Sequence, residues 1–330
     1  MSMENTQKLP YIVAEIAQGF EGNGRLVELF CNAVKTTKAD AIKFQIFQAD
    51  ELALKDYKYY NLFKSLELPG EIWARAVKSM HQAGKEFFSD VFGMDSLEFL
   101  MSIGVDGFKV HSTDVNNETL LSKVAATKKK VLLSTGGTEA LVVDRAIDIL
   151  KNCEITLMHG FQAEPTEIQD NHLLRIRTIL NRYNLPVGFQ DHTAGDSPLA
   201  HSLPFLAMGL GATLIEKHFT LSRVAQIEDY VSALTAEEFV KWADEIKAAG
   251  AALGREEWVL SEKEVKYKLN VRRAVCTAKA LPAGYEIQVS DLALKRSGNE
   301  KAINELNQVV GKKLRAPLAK DMAIEREYFA

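Results

Sequence analysis

Apolar runs of strand length alternate with amphipathic segments from residue 11 to about residue 250. The runs are rich in β-branched and aromatic residues, which favours buried strands, and the segments between them repeat apolar positions with helical spacing. This alternation predicts parallel strand–helix units. The predicted strands are YIVAEIA (11–17), AIKFQIF (41–47), EFFSDVF (86–92), GFKVHS (107–112), KVLLSTG (130–136), ITLMHG (155–160), VGFQDH (187–192) and TLIEKHF (213–219).

Eight strands, each followed by a helix, predict an α/β protein with a (β/α)8 TIM barrel. A doubly wound open sheet is the alternative, but no Gly-x-Gly-x-x-Gly turn follows the first strand. Thr235 and Glu238 form a capping box before a helix over residues 236–249. We expect Asp196 or Ser197 to open the helix that follows the seventh strand.

The pattern changes after Gly254. Residues 255–270 are polar and predict a helical or irregular linker. Residues 271–330 contain short strand-like runs that are broken by Pro and Gly at 282–284, which indicates a separate small β-rich domain. We therefore expect a barrel domain over 1–254, a linker, and a C-terminal domain that starts at residue 271.

Composition and charge exclude several classes of protein. The 330-residue chain is 47% hydrophobic and 25% charged, as globular proteins are, and its formal charge of −4 argues against general binding to nucleic acid or membrane. The N-terminus lacks a signal-peptide pattern, and the longest apolar tract, 203–215, is too short to span a bilayer. The widely spaced Cys31, Cys153 and Cys276 fit free thiols in a reducing compartment, so we expect a cytoplasmic protein.

Polar and ionisable residues are concentrated at the C-terminal ends of the predicted strands. In a barrel these ends surround the active site. One such residue alone is usually structural, but several charged groups at one mouth repel or desolvate one another unless a ligand completes the set. The residues at these ends are Glu15, Lys43, Gln45, Asp90, 109–112, Ser134, His159, His192 and 216–218.

His192 and His218 end the neighbouring strands seven and eight, and strand periodicity directs both side chains to the same side. Two imidazoles near carboxylates suit a divalent metal with open water positions. Two ligands fix no particular metal, so Mn²⁺, Co²⁺, Zn²⁺ and Mg²⁺ all stay open at this point.

Lys43, Ser112 and Ser134 provide donors for a phosphate or a carboxylate, together with the helix N-termini that follow the strands. Glu15 adds a carboxylate at the same mouth. A metal, an anion pocket and this carboxylate indicate carbon–carbon bond chemistry on a phosphorylated or carboxylated substrate.

One set of segments follows a recognisable order along the chain: AEIAQGFEG (14–22), AIKFQIF (41–47), FKVHSTDVNN (108–117), LLSTGG (132–137), FQDHT (189–193), LGATLIEKHFTL (210–221) and ALKRSGN (293–299). Together these segments resemble the sialic acid synthase, or nonulosonate synthase, family, and DHT followed by EKHFT is a specific pair. The tail over residues 271–330 resembles the antifreeze-like, or SAF, domain of that family.

The resemblance implies a metal-dependent condensation of phosphoenolpyruvate with an N-acyl hexosamine such as N-acetylmannosamine, which gives a nine-carbon 2-keto sugar acid and phosphate. It assigns the metal to His192 and His218, and it makes Glu15 the group that positions or deprotonates the water attacking C2. The phosphoenolpyruvate contacts that it implies are Lys43, Ser112, Ser134, Gln162 and Gln190.

The sugar contacts implied by the resemblance are Gln45, Glu164, Asp229 and Arg296. Arg296 resembles a family arginine that reaches from the SAF domain into the site of the partner subunit. The resemblance therefore implies a domain-swapped homodimer that acts on small molecules.

The chain departs from the family pattern at the substrate pocket. Residues 19–22 read Gly-Phe-Glu-Gly where the family usually has Asn-His-x-Gly, and HGFQAEPTE (159–167) replaces a Cys-Thr-x-x-Tyr-Pro-type stretch. Gln162 and Glu164 thereby take the places of an Asn and often a Tyr, and Gln190 stands where a small Ser is common. We expect the same reaction class with an altered acceptor sugar or donor.

Two alternative functions stay open. Another aldolase on the same barrel would be metal-dependent or would form an imine on Lys43, Lys109 or Lys217, which all lie near strand ends. A non-catalytic paralogue would use the altered loops only to bind a sugar. A non-catalytic protein would not need all five of the groups to which the resemblance gives a role in the reaction, namely Glu15, Lys43, His192, His218 and Arg296, and their presence argues against this second alternative.

Overall fold

A computed structural model describes residues 9–254 and 257–329 of the chain. The chain divides into two compact units, Met1–Gly254 and Arg255–Ala330. The three cysteines carry free thiols, as their spacing predicts. None of the helices in the described ranges has the length and hydropathy of a bilayer-spanning segment.

The strands described in the first unit are β1 Tyr11–Ala17, β2 Ala41–Gln45, β3 Glu86–Asp90, β4 Gly107–Val110, β5 Lys130–Ser134, β6 Glu154–His159, β7 Val187–Asp191, β8 Leu214–Thr220 and β9 Leu234–Thr235. All of them run parallel, and each pairs with the next in chain order. Because β8 also pairs with β1, strands β1 to β8 close into a barrel, and the short β9 adds to the end of β8. The predicted TIM barrel is confirmed.

The helices described in this unit are α1 Gly24–Lys35, α2 Ala49–Leu52, α3 Tyr60–Leu66, α4 Gly70–Gln82, α5 Met94–Ile103, α6 Glu118–Thr127, α7 Ala140–Leu150, α8 Arg175–Tyr183, α9 Ser202–Gly209 and α10 Ala236–Ala252. Short 3-10 turns occupy Ser112–Asp114, Ile168–Asn171 and Arg223–Ala225. The capping box of Thr235 and Glu238 is present at the start of α10, as predicted.

The predicted start of the helix after β7 is wrong. That helix, α9, begins at Ser202, whereas Asp196 and Ser197 lie in a series of turns before it. The hydroxyl of Ser197 accepts a hydrogen bond from the Leu199 amide two residues later, which stabilises a turn rather than a helix end. The Gly195 amide also donates to a distant carbonyl, that of Val231, and this bond holds the segment in a loop.

The helix α1 shows how the amphipathic segments pack. Asn23 caps its N-terminus by accepting a hydrogen bond from the Arg25 amide at 2.9 Å. The apolar side chains of α1 follow i, i+3, i+4, i+7 spacing and are buried against the barrel, namely Val27, Phe30, Cys31 and Val34. A single apolar stripe of this kind is enough to fix which face of the helix meets the strands.

Strand alternation gives the barrel two different environments. Outward-facing residues such as Ile12, Ile42 and Phe44 pack with the helices in the main core. A second apolar cluster fills the barrel interior and contains Val13, Ala41, Phe88, Leu132, Met158 and Leu214. Two residues further along β1, β2, β3, β5 and β8, the inward positions are polar or ionisable, namely Glu15, Lys43, Asp90, Ser134 and Glu216. The interior cluster is therefore the floor on which the polar site is built.

The second unit contains the helix α11 Glu262–Val271 and the antiparallel strands β10 Arg273–Thr277 and β11 Leu292–Arg296. Short 3-10 turns occupy Val289–Asp291, Leu306–Gln308 and Arg326–Tyr328. Every residue of α11 is at least partly exposed. The unit has its own apolar core, made of Val275, Leu281, Ile287, Ile303, Val309, Leu314, Leu318 and Ile324.

Candidate active site

A buried cluster of charges lies directly above the apolar floor of the barrel. The ammonium of Lys43 contacts the carboxylates of Glu15 and Asp90, the latter at 2.5 Å, and lies 3.9 Å from Glu216. Lys109 contacts the other oxygen of Glu216. None of these five side chains is more than 3% exposed. Burying so many charges is costly, so the cluster marks a place where charge is needed.

The charges in this cluster perturb one another. Burial raises the pKa of Glu15 to about 8, because the nearby Lys43 offsets only part of the desolvation and other carboxylates lie close. Burial alone would lower the pKa of Lys43, but the carboxylates of Asp90 and Glu15 outweigh it and raise that pKa. The neighbouring carboxylates therefore favour the charged form of Lys43, and burial favours the protonated form of Glu15.

The imidazoles of His192 and His218 lie side by side at the mouth, with ring centroids 5.1 Å apart. Among the described residues, neither Nδ1 atom has a hydrogen-bond partner, although both rings are buried. Burial lowers the pKa of His192 to about 3 and holds the pKa of His218 well below its ordinary value. Two neutral imidazoles with unused ring nitrogens are donors that divalent metals favour, so this pair fits the predicted metal.

Two carboxylates lie beside the ring of His218. Glu164 places Oε1 at 3.4 Å from Nε2, and Asp229 places Oδ2 at 3.7 Å from Nδ1. Burial and a hydrogen bond to Glu164 raise the pKa of Asp229 to about 9. The backbone carbonyl of His192 is held by the Thr166 amide, which follows Glu164 by two residues in the same loop. The loop after β6 thus reaches directly over the histidine pair.

The residues predicted to bind phosphoenolpyruvate occur in two hydrogen-bonded pairs, apart from Lys43. Ser112 donates to Gln162 at 2.6 Å. Gln190 donates to the hydroxyl of Ser134 at 3.2 Å and to the carbonyl of Gly160 at the same distance. Because Gln190 is only 1% exposed, its long side chain fills the space between the ends of β5, β6 and β7.

The residues predicted to contact the sugar divide between the two units. Gln45 accepts a hydrogen bond from Gln18 at 2.9 Å at the barrel mouth, and Arg296 is exposed at the end of β11 in the second unit. A cavity of about 300 Å³ opens at the mouth. Its walls combine apolar and polar side chains, including Leu52, Phe63, Phe92, Gln45, Glu164 and Asp229.

Comparison with known proteins identifies the family. The NeuB family matches residues 30–258, and the SAF domain matches residues 272–325. The chain belongs to the NeuB family. It is 32% identical to the N,N'-diacetyllegionaminic acid synthase of Legionella pneumophila, over 92% of this chain and 90% of that protein. It is 30% identical to a pseudaminic acid synthase of Campylobacter jejuni, over 81% of this chain and 82% of that one.

The fold of this NeuB family protein also matches a solved structure. The N-acetylneuraminic acid synthetase of Leptospira borgpetersenii superposes with a TM-score of 0.74 at 27% identity, and the match covers 82% of this chain and 96% of that one. The resemblance inferred from sequence motifs is therefore confirmed at the level of the family and of its C-terminal SAF domain.

The sequence assigns no role to two members of the buried cluster, Asp90 and Glu216, and it considers a third, Lys109, only as a possible imine-forming lysine. A signal was available, because each lies on the inward face of its strand at the level of Glu15 and Lys43. The sequence does not predict which ammonium pairs with which carboxylate, because the pairing depends on the tilt of the strands. Lys43, for example, is the register partner of Phe88, yet its side chain reaches Asp90 two residues further along β3.

Other residues near the strand ends are structural. His159 bonds through Nε2 to the carbonyl of Asn171 at 2.9 Å. Lys217 pairs with Asp191 at 3.1 Å and donates to the carbonyl of Thr193 at 2.7 Å, with both charged groups fully buried behind the barrel wall. This agrees with strand periodicity, which places Asp191 and Lys217 on the faces opposite to the two site histidines.

Proposed function

We propose that this NeuB family protein condenses phosphoenolpyruvate with the open-chain form of an N-acyl hexosamine. C3 of phosphoenolpyruvate bonds to the aldehyde carbon, water adds at C2, and the C2–O bond to phosphate breaks, which leaves a nonulosonic 2-keto acid and phosphate. The observation that carries the proposal is the buried charge cluster beside a pair of neutral imidazoles at one barrel mouth. Relatives that are themselves named as synthases of legionaminic and pseudaminic acid support the reaction class.

The anionic donor binds to the cationic and hydroxyl groups of the mouth. Lys43 provides a positive charge, and Lys109 a second ammonium, for a substrate that carries both a carboxylate and a phosphate. The remaining proposed donors are Ser112, Ser134, Gln162 and Gln190. Because these four are hydrogen-bonded among themselves or to backbone, the bound anion takes over some of those bonds.

Glu15 handles the proton of the attacking water. Its Oε1 accepts a hydrogen bond from the Ala17 amide at 2.7 Å, which fixes the carboxyl group at the end of β1. A pKa of about 8 suits a group that must hold and release a proton near neutral pH. We therefore assign Glu15 to positioning and deprotonating the water that adds at C2.

His192 and His218 hold a divalent metal, with Mn²⁺ as first choice and Mg²⁺, Co²⁺ and Zn²⁺ as alternatives. When bound, such an ion supplies a Lewis acid that polarises a carbonyl oxygen. The chain contributes the neutral form of both rings, because burial keeps their pKa values low. It also orients His218 beside the carboxylates of Glu164 and Asp229.

The acceptor sugar occupies the cavity at the mouth, where Gln45, Glu164 and Asp229 offer polar contacts. Arg296 completes the site from the SAF domain of a second copy, so we propose a domain-swapped homodimer. We place the reaction in the cytoplasm, a compartment that matches the free thiols of the chain.

An imine mechanism receives less support from the three candidate lysines. A lysine that attacks a carbonyl must be unprotonated and reachable. The carboxylates around Lys43 raise its pKa, and Lys109 is bound to Glu216. Lys217 is fully buried and paired with Asp191 behind the barrel wall, away from the mouth.

Phosphate release tests the proposal. Incubation with phosphoenolpyruvate and a panel of N-acyl hexosamines should release phosphate only when both an acceptor and Mn²⁺ are present. A panel that yields no phosphate with any of the four metals removes the synthase assignment and leaves the two alternatives, another aldolase or a sugar-binding protein.

A further inference from the structure

The loop after β6 brings a carboxylate to the histidine pair. Ligand atoms of Glu164, His192 and His218 all lie within 4.8 Å of one another. Atoms that share one transition-metal ion at about 2.1 Å lie roughly 3 to 4 Å apart. Small side-chain rotations therefore suffice to bring these three donors onto a single ion.

The two histidines present nitrogens that the described part of the chain does not use. The Nδ1 atoms of His192 and His218 are buried without a hydrogen-bond partner there, and the two side chains are only 7% and 5% exposed. Unsatisfied polar atoms at this depth are costly, and a cation is a ligand that satisfies an imidazole nitrogen and a carboxylate at once.

Glu164 brings a carboxylate close to the ring of His218. Its Oε1 lies 3.4 Å from Nε2 of His218, while Asp229 approaches Nδ1 of the same ring at 3.7 Å. Both carboxylates thus lie beside the His218 ring, and Glu164 is the one whose oxygen lies within 4.8 Å of a ring nitrogen of each histidine. Glu164 is 34% exposed, so a metal can reach it from the mouth.

We infer that Glu164 is a third protein ligand of the metal, which makes the site a set of two imidazoles and one carboxylate. This inference rests on the metal-dependent synthase proposed above and changes the role of Glu164 from sugar contact to metal ligand. A site of this kind keeps about three positions of an octahedral ion open for water or substrate oxygens. It favours Mn²⁺, Co²⁺ or Zn²⁺ over Mg²⁺, which prefers oxygen ligands alone.

The test is a metal titration of the full-length protein without substrates. Chelator-treated protein is titrated with Mn²⁺, and the free ion is followed by its electron paramagnetic resonance signal. We expect Glu164→Gln to raise the Kd for Mn²⁺ at least tenfold. Glu167→Gln, which removes the same charge from an exposed position in the same loop, should leave the Kd within twofold of the original.

A further variant separates ligation from simple charge attraction. Glu164→His is neutral, like Glu164→Gln, but it restores a donor atom, so it should recover most of the lost affinity. A loss smaller than tenfold in Glu164→Gln, or no recovery in Glu164→His, overturns the inference even if the protein binds Mn²⁺ and releases phosphate. If the unmodified protein binds no Mn²⁺, the metal-dependent reaction and the role of Glu164 both fall.

Discussion

Glu15 and Lys43 control each other's protonation at the centre of the site. Their side chains are in contact, both are almost fully buried, and the carboxylates of Asp90 and Glu216 approach the same ammonium. The surrounding carboxylates raise the pKa of Lys43, and burial, assisted by the charges of Glu216 and Asp90, raises the pKa of Glu15. A bound anion would shift this balance, because it adds further negative charge beside Lys43.

Replacing Glu15 tests its role in proton transfer. Glu15→Gln should lower kcat by about 10²- to 10⁴-fold, as expected for loss of a general base, while the KM for phosphoenolpyruvate changes little. The fold should persist, since the amide keeps the size of Glu15 and can still accept the hydrogen bond from Ala17, and Lys43 keeps Asp90 as its partner. Steady-state kinetics and thermal unfolding provide these measurements.

The matched control for Glu15 is Glu28→Gln, which changes an exposed carboxylate on α1, the helix that follows the same strand. It should leave both constants unchanged. A Glu15→Gln protein that keeps kcat within a few-fold of the original would remove Glu15 from the reaction.

For single residues, the sequence predicts which side chains lie together at the barrel mouth but not which hydrogen bonds they form. Glu15, Lys43, His192 and His218 all lie at the mouth, as strand ends in a barrel require. The long side chain of Gln190 shows the limit, because its bonds to Ser134 and Gly160 depend on how closely three neighbouring strands approach. The sequence pattern of a single strand does not reveal how far apart the ends of neighbouring strands lie.

At the scale of elements, the apolar runs predicted every barrel strand, because each run must be buried on both faces. The start of α9 could not be predicted in the same way. Asp196 and Ser197 are suitable N-cap residues, but a tertiary hydrogen bond from Gly195 to Val231 holds the segment in turns. The local preference of such residues for a helix N-terminus is overridden when a hydrogen bond to a distant residue stabilises a different conformation.

The start of α10 carries a pH-dependent contribution to stability. Glu238 closes the capping box with Thr235 and pairs with Arg223, and the hydrogen bond from Arg223 lowers the pKa of Glu238 to about 2. A carboxyl whose pKa is lower in the folded than in the unfolded protein stabilises the fold above its unfolded pKa. That contribution is therefore complete above about pH 5 and is lost as the pH falls towards 2.

Denaturant unfolding across this pH range checks the prediction for α10. Glu238→Gln should be less stable than the original protein at pH 7, and the difference should shrink steadily below about pH 4.5. Glu237→Gln, at the exposed neighbouring position, should show no such convergence. A stability difference that is independent of pH would mean that Glu238 acts only as a neutral cap.

At the scale of the whole molecule, the chain combines a barrel that carries nearly all the proposed chemistry with a small unit that carries Arg296. This arginine lies opposite Arg273 in the register of β10 and β11, so two cations stand side by side on one exposed edge. Like charges at such an edge favour an anionic partner, which is consistent with a role for Arg296 at a substrate site.

Arg296→Ala should lower kcat/KM for the acceptor roughly tenfold or more, the usual effect of losing a charged hydrogen bond, while the dimer stays intact. Light scattering measures the mass of the oligomer, and steady-state kinetics measure the loss of kcat/KM for the acceptor. Lys312→Ala, which removes an exposed cation elsewhere in the same unit, serves as the control and should leave kcat/KM unchanged. Unchanged kinetics in Arg296→Ala, or a monomeric original protein, would contradict the domain-swapped site.

The proposed reaction joins the three carbons of phosphoenolpyruvate to an amino sugar. The most direct measurement is the mass spectrum of the product formed from uniformly ¹³C-labelled phosphoenolpyruvate, Mn²⁺ and each N-acyl hexosamine in turn. We predict a product heavier than its acceptor by one pyruvate unit that carries all three labelled carbons, formed in equal amount with released phosphate. Labelled pyruvate alone, or no labelled product with any acceptor, would contradict the account.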